Sequence, residues 1–209
     1  MDEKIKFSIL LTVYKGLSPI YLDECLASLH SQTLFPNQVV IVRDGVVSND
    51  LNDLVDKYKN LLPITYIGYN SNMGLGYALN YGLEYCNWNN VIRIDADDIC
   101  LPLRCETQMK YVLDNPDYCV FGGQAILIDK SSHEVGKKNV PLGTEQIKKL
   151  IWMNPLIHPS VCINKAKIAE VGLYNSKLKR RQDYNLWFRV LKSSTEACLN
   201  SSKLRTIFR

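Results

Sequence analysis

Two hydrophobic periods alternate along the first half of the chain, and each switch marks a new element. Residues 7–14 form a nearly continuous apolar run, as expected of a strand covered on both faces. After the loop Lys15-Gly16-Leu17, Ser18 and Pro19 read as N-cap and first position of a helix whose Leu22, Cys25, Leu26 and Leu29 recur at helical spacing. Pro36 and Asn37 break the chain before a second apolar strand at 38–43, which stops at Asp44-Gly45. Leu51, Leu54, Val55 and Tyr58 give a second helical stripe, and a third strand follows at 64–67. The segment Asn70-Ser71-Asn72-Met73-Gly74-Leu75-Gly76 then opens a helix with Leu75, Ala78, Leu79, Gly82 and Leu83 on one face. A fourth strand, Val91-Ile92-Arg93-Ile94, ends in Asp95-Ala96-Asp97-Asp98. Four strands alternating with three helices over short links predict a parallel sheet built from right-handed crossovers.

The pattern loosens beyond Asp98. Pro102 opens a helix with Cys105, Met109, Val112 and Leu113 expected inward, and Asn115-Pro116 stops it. Residues 118–128 read as a long strand in which Gly122-Gly123 marks a bend, a bulge or a close approach. A short helix at 144–150, a proline-rich loop at 154–160 and a short strand at 161–163 follow. A final helix should begin near Gln182-Asp183 and bury Leu186, Trp187, Val190 and Leu191.

Composition narrows the class. At 209 residues and 46% hydrophobic, the chain can bury a substantial core. Its net charge of +4 is mild, and apart from Lys177, Lys179, Arg180 and Arg181 the cations are dispersed. Nucleic acid is therefore not an expected partner, whereas a basic flank near a phosphate or a membrane surface is compatible with the charge. Seven cysteines without a C-x-x-C pair suggest small core residues in a reducing cytoplasm. Apolar runs are too short to span a bilayer, and the N-terminus does not read as a signal peptide.

Candidate chemistry gathers where strands end. Asp is depleted from strand interiors, so the Asp95 cluster marks a carboxyl-terminal strand edge, where open α/β sheets bind ligands. Clustered carboxylates repel, and a hard divalent cation shared with a phosphate is their natural compensation. Taken by itself, such a triplet also reads as a solvated acidic turn. Gly74-Leu75-Gly76, with Asp95 about 20 residues on, fits the dinucleotide fingerprint poorly, because Leu79 stands where the third glycine belongs. No P-loop pattern exists. Of the histidines, His30 and His133 read as bystanders, while His158 between two prolines is a candidate for substrate contact. Asp183 opens a helix, where the macrodipole favours an acid without any functional demand.

In this order, the strand and loop Ile9–Tyr14, Asp44, Asn72-Met73-Gly74 with Ala78, Asn80 and Gly82, Asp95-Ala96-Asp97-Asp98, and Gln182-Asp183-Tyr184-Asn185-Leu186-Trp187 resemble family 2 glycosyltransferases. The likeness covers most of the chain and rests on order and spacing. It implies an α/β GT-A fold, with a Rossmann-like, mostly parallel sheet flanked by helices, in a single domain over 1–209. The nucleotide-binding part would reach to about residue 100 and the acceptor side would follow. It further implies inverting transfer of a sugar from a nucleoside diphosphate donor, a UDP-sugar foremost. The acceptor would be a glycan or lipid-linked oligosaccharide in cell-surface polysaccharide synthesis, in the cytoplasm or peripherally at the inner membrane face. By the same resemblance Thr12, Tyr14, Asp44, Asn72, Gly74, Arg93 and Asp95 would hold the donor, Asp97 would bind Mn²⁺ or Mg²⁺ with Asp98 assisting, and Asp183 would be the catalytic base. His158, Gln182 and Trp187 would lie on the acceptor side. Gln182 departs from the family's usual Glu-Asp pair, and relatives commonly continue beyond the position of Arg209. Both features also suit a nucleotide- or partner-binding remnant of the fold. A sugar nucleotidyltransferase is a further rival, although Lys15-Gly16 matches the glycine-rich basic loop of that class poorly.

Overall fold

The computed structural model of the protein describes residues 5–193 and 199–208. Its strands are β1 (Phe7–Val13), β2 (Gln38–Asp44), β3 (Ile64–Tyr69), β4 (Asn90–Arg93), β5 (Val120–Ile128), β6 (Glu134–Lys138), β7 (Cys162–Asn164) and β8 (Leu199–Phe208). The helices are α1 (Pro19–His30), α2 (Asn49–Tyr58), α3 (Leu75–Tyr85), α4 (Arg104–Asp114), α5 (Thr144–Lys149), α6 (Lys165–Glu170) and α7 (Gln182–Ser193). The strands form one sheet in the order β3-β2-β1-β4-β7-β5-β6, with β8 paired to β5. β3, β2, β1 and β4 are mutually parallel, as their helical crossovers require. From β7 the sheet turns antiparallel, and β8 rejoins β5 in parallel.

Strand periodicity sorts the core into two layers. Ile9, Leu11 and Val13 of β1 pack with α1, α2 and α4 on one face. Leu10, Val40 and Val42 pack with α3, α6 and α7 on the other. Both faces of the central strands are therefore apolar, which is why the alternation expected of a half-exposed sheet is missing there. Helix α3 lies especially close: a Cβ added at Gly82 would stand 2.4 Å from Leu10 Cδ1 and 2.7 Å from Val42 Cγ2.

Several expectations need correction. Leu113 is 63% exposed, and the inner face of α4 instead carries the buried polar pair Arg104 and Gln108. Ser18 takes the N-cap position of α1 without a side-chain capping bond. Gly122-Gly123 is a close approach: a Cβ on Gly122 would meet Leu156 Cδ2 at 3.0 Å, and the Gly123 amide donates to Ser160 Oγ at 3.0 Å. Strand β6 and helix α6 lie in stretches for which the sequence pattern gave no element, and β8 lies beyond the last expected element. Cys25, Cys86, Cys100, Cys105 and Cys162 are buried free thiols, but Cys119 is disulfide-bonded, so the all-thiol expectation fails there. Cys198 lies outside the described residues. Among the described residues no helix is long and apolar enough to cross a membrane.

Candidate active site

The carboxyl ends of β1, β2 and β4 open onto one cleft of about 260 Å³, lined by Thr12, Tyr14, Leu17, Asp44, Asn72, Gly74, Leu75, Asp95, Ala96 and Asp97. This is the edge where a parallel sheet leaves its strand ends free for a ligand. Every residue expected to hold the donor reaches this cleft except Arg93, which stands behind it. Leu17, Leu75 and Ala96 are additional wall residues, and no signal in their types distinguished them from core.

Asp44 organises one wall. It ends β2 at 5% exposure. Its Oδ1 accepts the Met73 amide at 2.7 Å, and its Oδ2 accepts the Gly74 amide at 3.0 Å and Asn72 Nδ2 at 3.1 Å. A carboxylate has about four acceptor positions, so three bonds fix the loop and leave room for a ligand donor. Two left-handed glycines make this fit. Gly45, at φ 86°, lets Asn72 approach its backbone, and Gly74, at φ 87°, starts α3.

The opposite wall is the turn after β4. Arg93, 1% exposed, donates through Nη1 to Asp95 Oδ2 at 3.0 Å and through Nη2 to Asp95 Oδ1. Such a bidentate pair fixes the carboxylate plane as well as its position. Asp98 donates its amide to Asp95 O at 3.1 Å, closing the turn. Arg104 then staples the strand end from below, donating Nη2 to Arg93 O at 2.7 Å and to Pro159 O at 2.8 Å. Asp95, Asp97 and Asp98 each offer a carboxylate oxygen, and these atoms lie within 4.8 Å of one another. Hard cations take oxygen ligands at about 2.0–2.6 Å, so oxygens so spaced fit around a single divalent ion, and an all-carboxylate set favours Mg²⁺ or Mn²⁺ over softer metals. Because Arg93 already engages both oxygens of Asp95, the larger share of any cation's ligation falls to Asp97 and Asp98.

A second group comes from the later part of the chain. Asp183 is the acidic residue in the first turn of α7 and accepts Asn154 Nδ2 on Oδ2 at 3.0 Å. Asn154 sits at φ 53°, a left-handed conformation that non-glycine residues seldom adopt without compensation. Tyr174 lies between the two groups: burial raises its pKa, Arg93 opposes that, and the charges of Asp183 and Asp95 both add to it. Asn80 of α3 clamps the Tyr174 backbone from both sides, donating to its carbonyl at 2.8 Å and accepting its amide at 3.0 Å.

The three residues expected toward the acceptor are placed deeper. His158 is 8% exposed, shares a 2.9 Å hydrogen bond between Nε2 and the Tyr174 hydroxyl, and packs edge-on against Trp187. Burial, then the nearby Arg93 charge, hold its pKa well below the usual value, so the ring is a neutral packing element. Trp187 is 0% exposed and Gln182 is 7% exposed. All three thus underlie the Asp183 region instead of forming its surface. That surface is a second cavity of about 190 Å³ lined by Trp152, Met153, Asn154, Arg181 and Tyr184.

The family model "Glycosyl transferase family 2" matches residues 8–173. The chain belongs to that family. Among curated relatives of this family 2 member, the amylovoran biosynthesis glycosyltransferase AmsE of Erwinia amylovora is 40% identical, over 88% of this chain and 69% of its own. UDP-Gal:alpha-D-GlcNAc-diphosphoundecaprenol beta-1,3-galactosyltransferase of Escherichia coli is 35% identical, over 94% of this chain and 70% of its own. Among solved structures, S. aureus TarS in complex with UDP-GlcNAc superposes with a TM-score of 0.77 at 20% identity, over 97% of this chain and 58% of that one. A mannosyltransferase from Pyrobaculum calidifontis in complex with GDP-Man and Mn²⁺ gives 0.71 at 11% identity, over 98% of this chain and 57% of that one. At those identities the likeness shows the fold, which is GT-A. The family 2 chain thus spans a little under three fifths of the length of these two solved proteins.

Proposed function

We propose that the protein transfers a sugar, with inversion, from a UDP-sugar to a hydroxyl of a glycan or lipid-linked acceptor in cell-surface polysaccharide synthesis. The observation that carries this reading is a strand-end carboxylate triad beside the Asp44 cleft together with Asp183, held by Asn154, whose charge acts with that of Asp95 on the buried Tyr174. The curated relatives named above support the biological setting. We place the reaction in the cytoplasm, peripherally at the inner membrane face where a lipid-linked acceptor is presented. The nucleotide-binding part runs to about residue 100 and the acceptor side follows.

The chemistry divides between the groups. The acceptor oxygen attacks the anomeric carbon and its proton passes to Asp183, while the bond from that carbon to the diphosphate breaks and its electron pair leaves with the diphosphate oxygen. Asn154 keeps the Asp183 carboxylate oriented for that proton. A divalent ion held by Asp97 and Asp98 beside Asp95 would neutralise charge on the departing diphosphate. Thr12, Tyr14, Asp44, Asn72 and Gly74 line the donor's cleft, and Arg93 aligns Asp95 from behind. Gln182 fits this scheme physically: at 7% exposure a glutamate there would bury a second charge beside Asp183, and the amide avoids that cost.

A panel of nucleotide sugars assayed for transfer and for hydrolysis tests the reading, alongside thermal shifts with nucleoside diphosphate and Mn²⁺. UDP with Mn²⁺ should raise the melting temperature, and Asp97→Ala should remove the metal-dependent part of that rise. No shift for the wild-type protein at saturating ligand would defeat the donor-site assignment.

A further inference from the structure

Asp183 and the loop that Asp44 fixes belong to different helices, and one short segment of chain ties those helices together. Residues 171–174 lead away from the end of α6, with Gly172 at φ 91° and Leu173 at φ 54°. A left-handed leucine persists only where its surroundings over-determine it. Here they do so from two sides. Arg189 of α7 donates Nη1 to Val171 O and Nη2 to Leu173 O. Asn80 of α3 takes the next residue, donating Nδ2 to Tyr174 O at 2.8 Å and accepting the Tyr174 amide on Oδ1 at 3.0 Å. The chain that follows lies on the first turn of α3, where a Cβ placed on Gly76 would stand 3.4 Å from Asn175 O and from Ser176 Cα.

This tie reaches both halves of the chemistry. At its α3 end, the Met73 and Gly74 amides that lead into the helix are bound to Asp44 of the donor cleft. At its α7 end, the Tyr174 hydroxyl shares a 2.9 Å hydrogen bond with His158 Nε2, and His158 packs edge-on against Trp187. Trp187 lies one turn beyond Asp183 on the same face of α7, so whatever seats Trp187 also sets the height and rotation of Asp183. Asn80 itself lines neither the donor cleft nor the cavity beside Asp183. We propose that Asn80 is the positioning residue that fixes Asp183 relative to the donor, by locking residues 171–174 to α3. Its side chain suits the task, since an amide offers a donor and an acceptor side by side, whereas a carboxylate offers acceptors only. Without the clamp, the segment and α7 keep their apolar packing on the layer beneath, and such packing is not directional. A displacement of about 1 Å at a reacting group costs on the order of 100-fold in rate. The inference rests on the transferase reading for the role of Asp183, but the tie between α3 and α7 is measurable without catalysis.

The test uses two variants of the full chain. Asn80→Ala removes both bonds, while Asn80→Asp keeps an acceptor for the Tyr174 amide and loses the donor to its carbonyl, so the comparison does not depend on the harsher variant folding. Turnover should fall about 10- to 100-fold in Asn80→Ala and less in Asn80→Asp, with the donor KM within about twofold of the wild-type value. The thermal shift with UDP and Mn²⁺ should be retained in both. Because Asn80 acts through Asp183, the two losses should not multiply: adding Asn80→Ala to Asp183→Asn should lower the residual turnover by no more than about twofold. Hydrogen exchange supplies the readout that needs no reaction. In Asn80→Ala the amides of Tyr174 and of α7 should exchange about tenfold faster, while those of β1 and β2 keep their wild-type rates. Unchanged turnover in Asn80→Ala, a loss carried by the donor KM, fully multiplicative losses in the double variant, or exchange that rises equally in β1 and β2 would each overturn the proposal. Exchange as expected, in a protein whose wild-type form transfers sugar from no donor, would overturn the transferase reading and leave the tie between α3 and α7 standing. Transfer by the wild-type protein with α7 exchange unaltered in Asn80→Ala would do the reverse.

Discussion

His158 shows how one residue's surroundings change its meaning. Between two prolines in sequence it looks like a loop residue aimed at substrate; in the fold it is enclosed by Tyr174 and Trp187 and kept neutral by burial and by Arg93. Its folded pKa lies below the unfolded value of about 6.5, so the unfolded chain binds more protons as pH falls below that value. Stability is therefore fully present above about pH 6.5 and declines as the pH falls beneath it, by at most about 1.4 kcal/mol per pH unit for one proton. Denaturant melts of wild type and His158→Gln between pH 7.5 and about 5 should show a shallower decline in the variant, because Gln does not titrate. Parallel declines would mean that other groups carry the acid sensitivity. Asn154 illustrates the opposite case: nothing in an Asn before a proline announces that it orients the candidate base, because its left-handed φ and its bond to Asp183 exist only once α7 has docked.

At the level of elements, close packing between α3 and the sheet depends on Gly82. An alanine there would gain about 1 kcal/mol of helix propensity, yet its methyl would meet Leu10 and the stiff, branched Val42 inside a fully buried layer. Overpacking of this kind costs roughly 1–3 kcal/mol, so Gly82→Ala should destabilise on balance, with urea unfolding as the readout. A variant more stable than wild type would show that α3 can lift from β1 and β2 without loss. The elements up to β4 were legible in sequence because each strand is buried on both faces and each helix presents a regular apolar stripe. Legibility fell where packing overrode pattern. Arg104 and Gln108 occupy the buried face of α4 because backbone carbonyls of Arg93, Pro159 and Ser160 need donors there, while Leu113, which fits the helical period, points to solvent. The polar strand β6 was hidden because its residues are mostly exposed, which leaves no apolar alternation to detect.

At the scale of the whole molecule, two carboxylate groups are held by separate means, the triad by the turn after β4 and Asp183 by Asn154 at the start of α7. The polar and glycine residues of the cleft were visible as strand ends and glycine turns, since a polar residue that stops an apolar run reports a strand terminus directly, whereas Leu17, Leu75 and Ala96 were not. The second cavity was not visible: Trp152, Met153 and Arg181 come from short or irregular segments and Tyr184 from α7, so their meeting depends on how α7 packs over β4 and β7. The central claim is that Asp183 takes a proton from the acceptor while the Asp97 side holds the donor. Measuring turnover and donor binding in the same preparation of Asp183→Asn tests it most directly. General base catalysis contributes about 10²–10⁴-fold, so turnover should fall by that factor while the thermal shift with UDP and Mn²⁺ stays at the wild-type value. Turnover in Asp183→Asn equal to that of the wild-type protein would contradict the account.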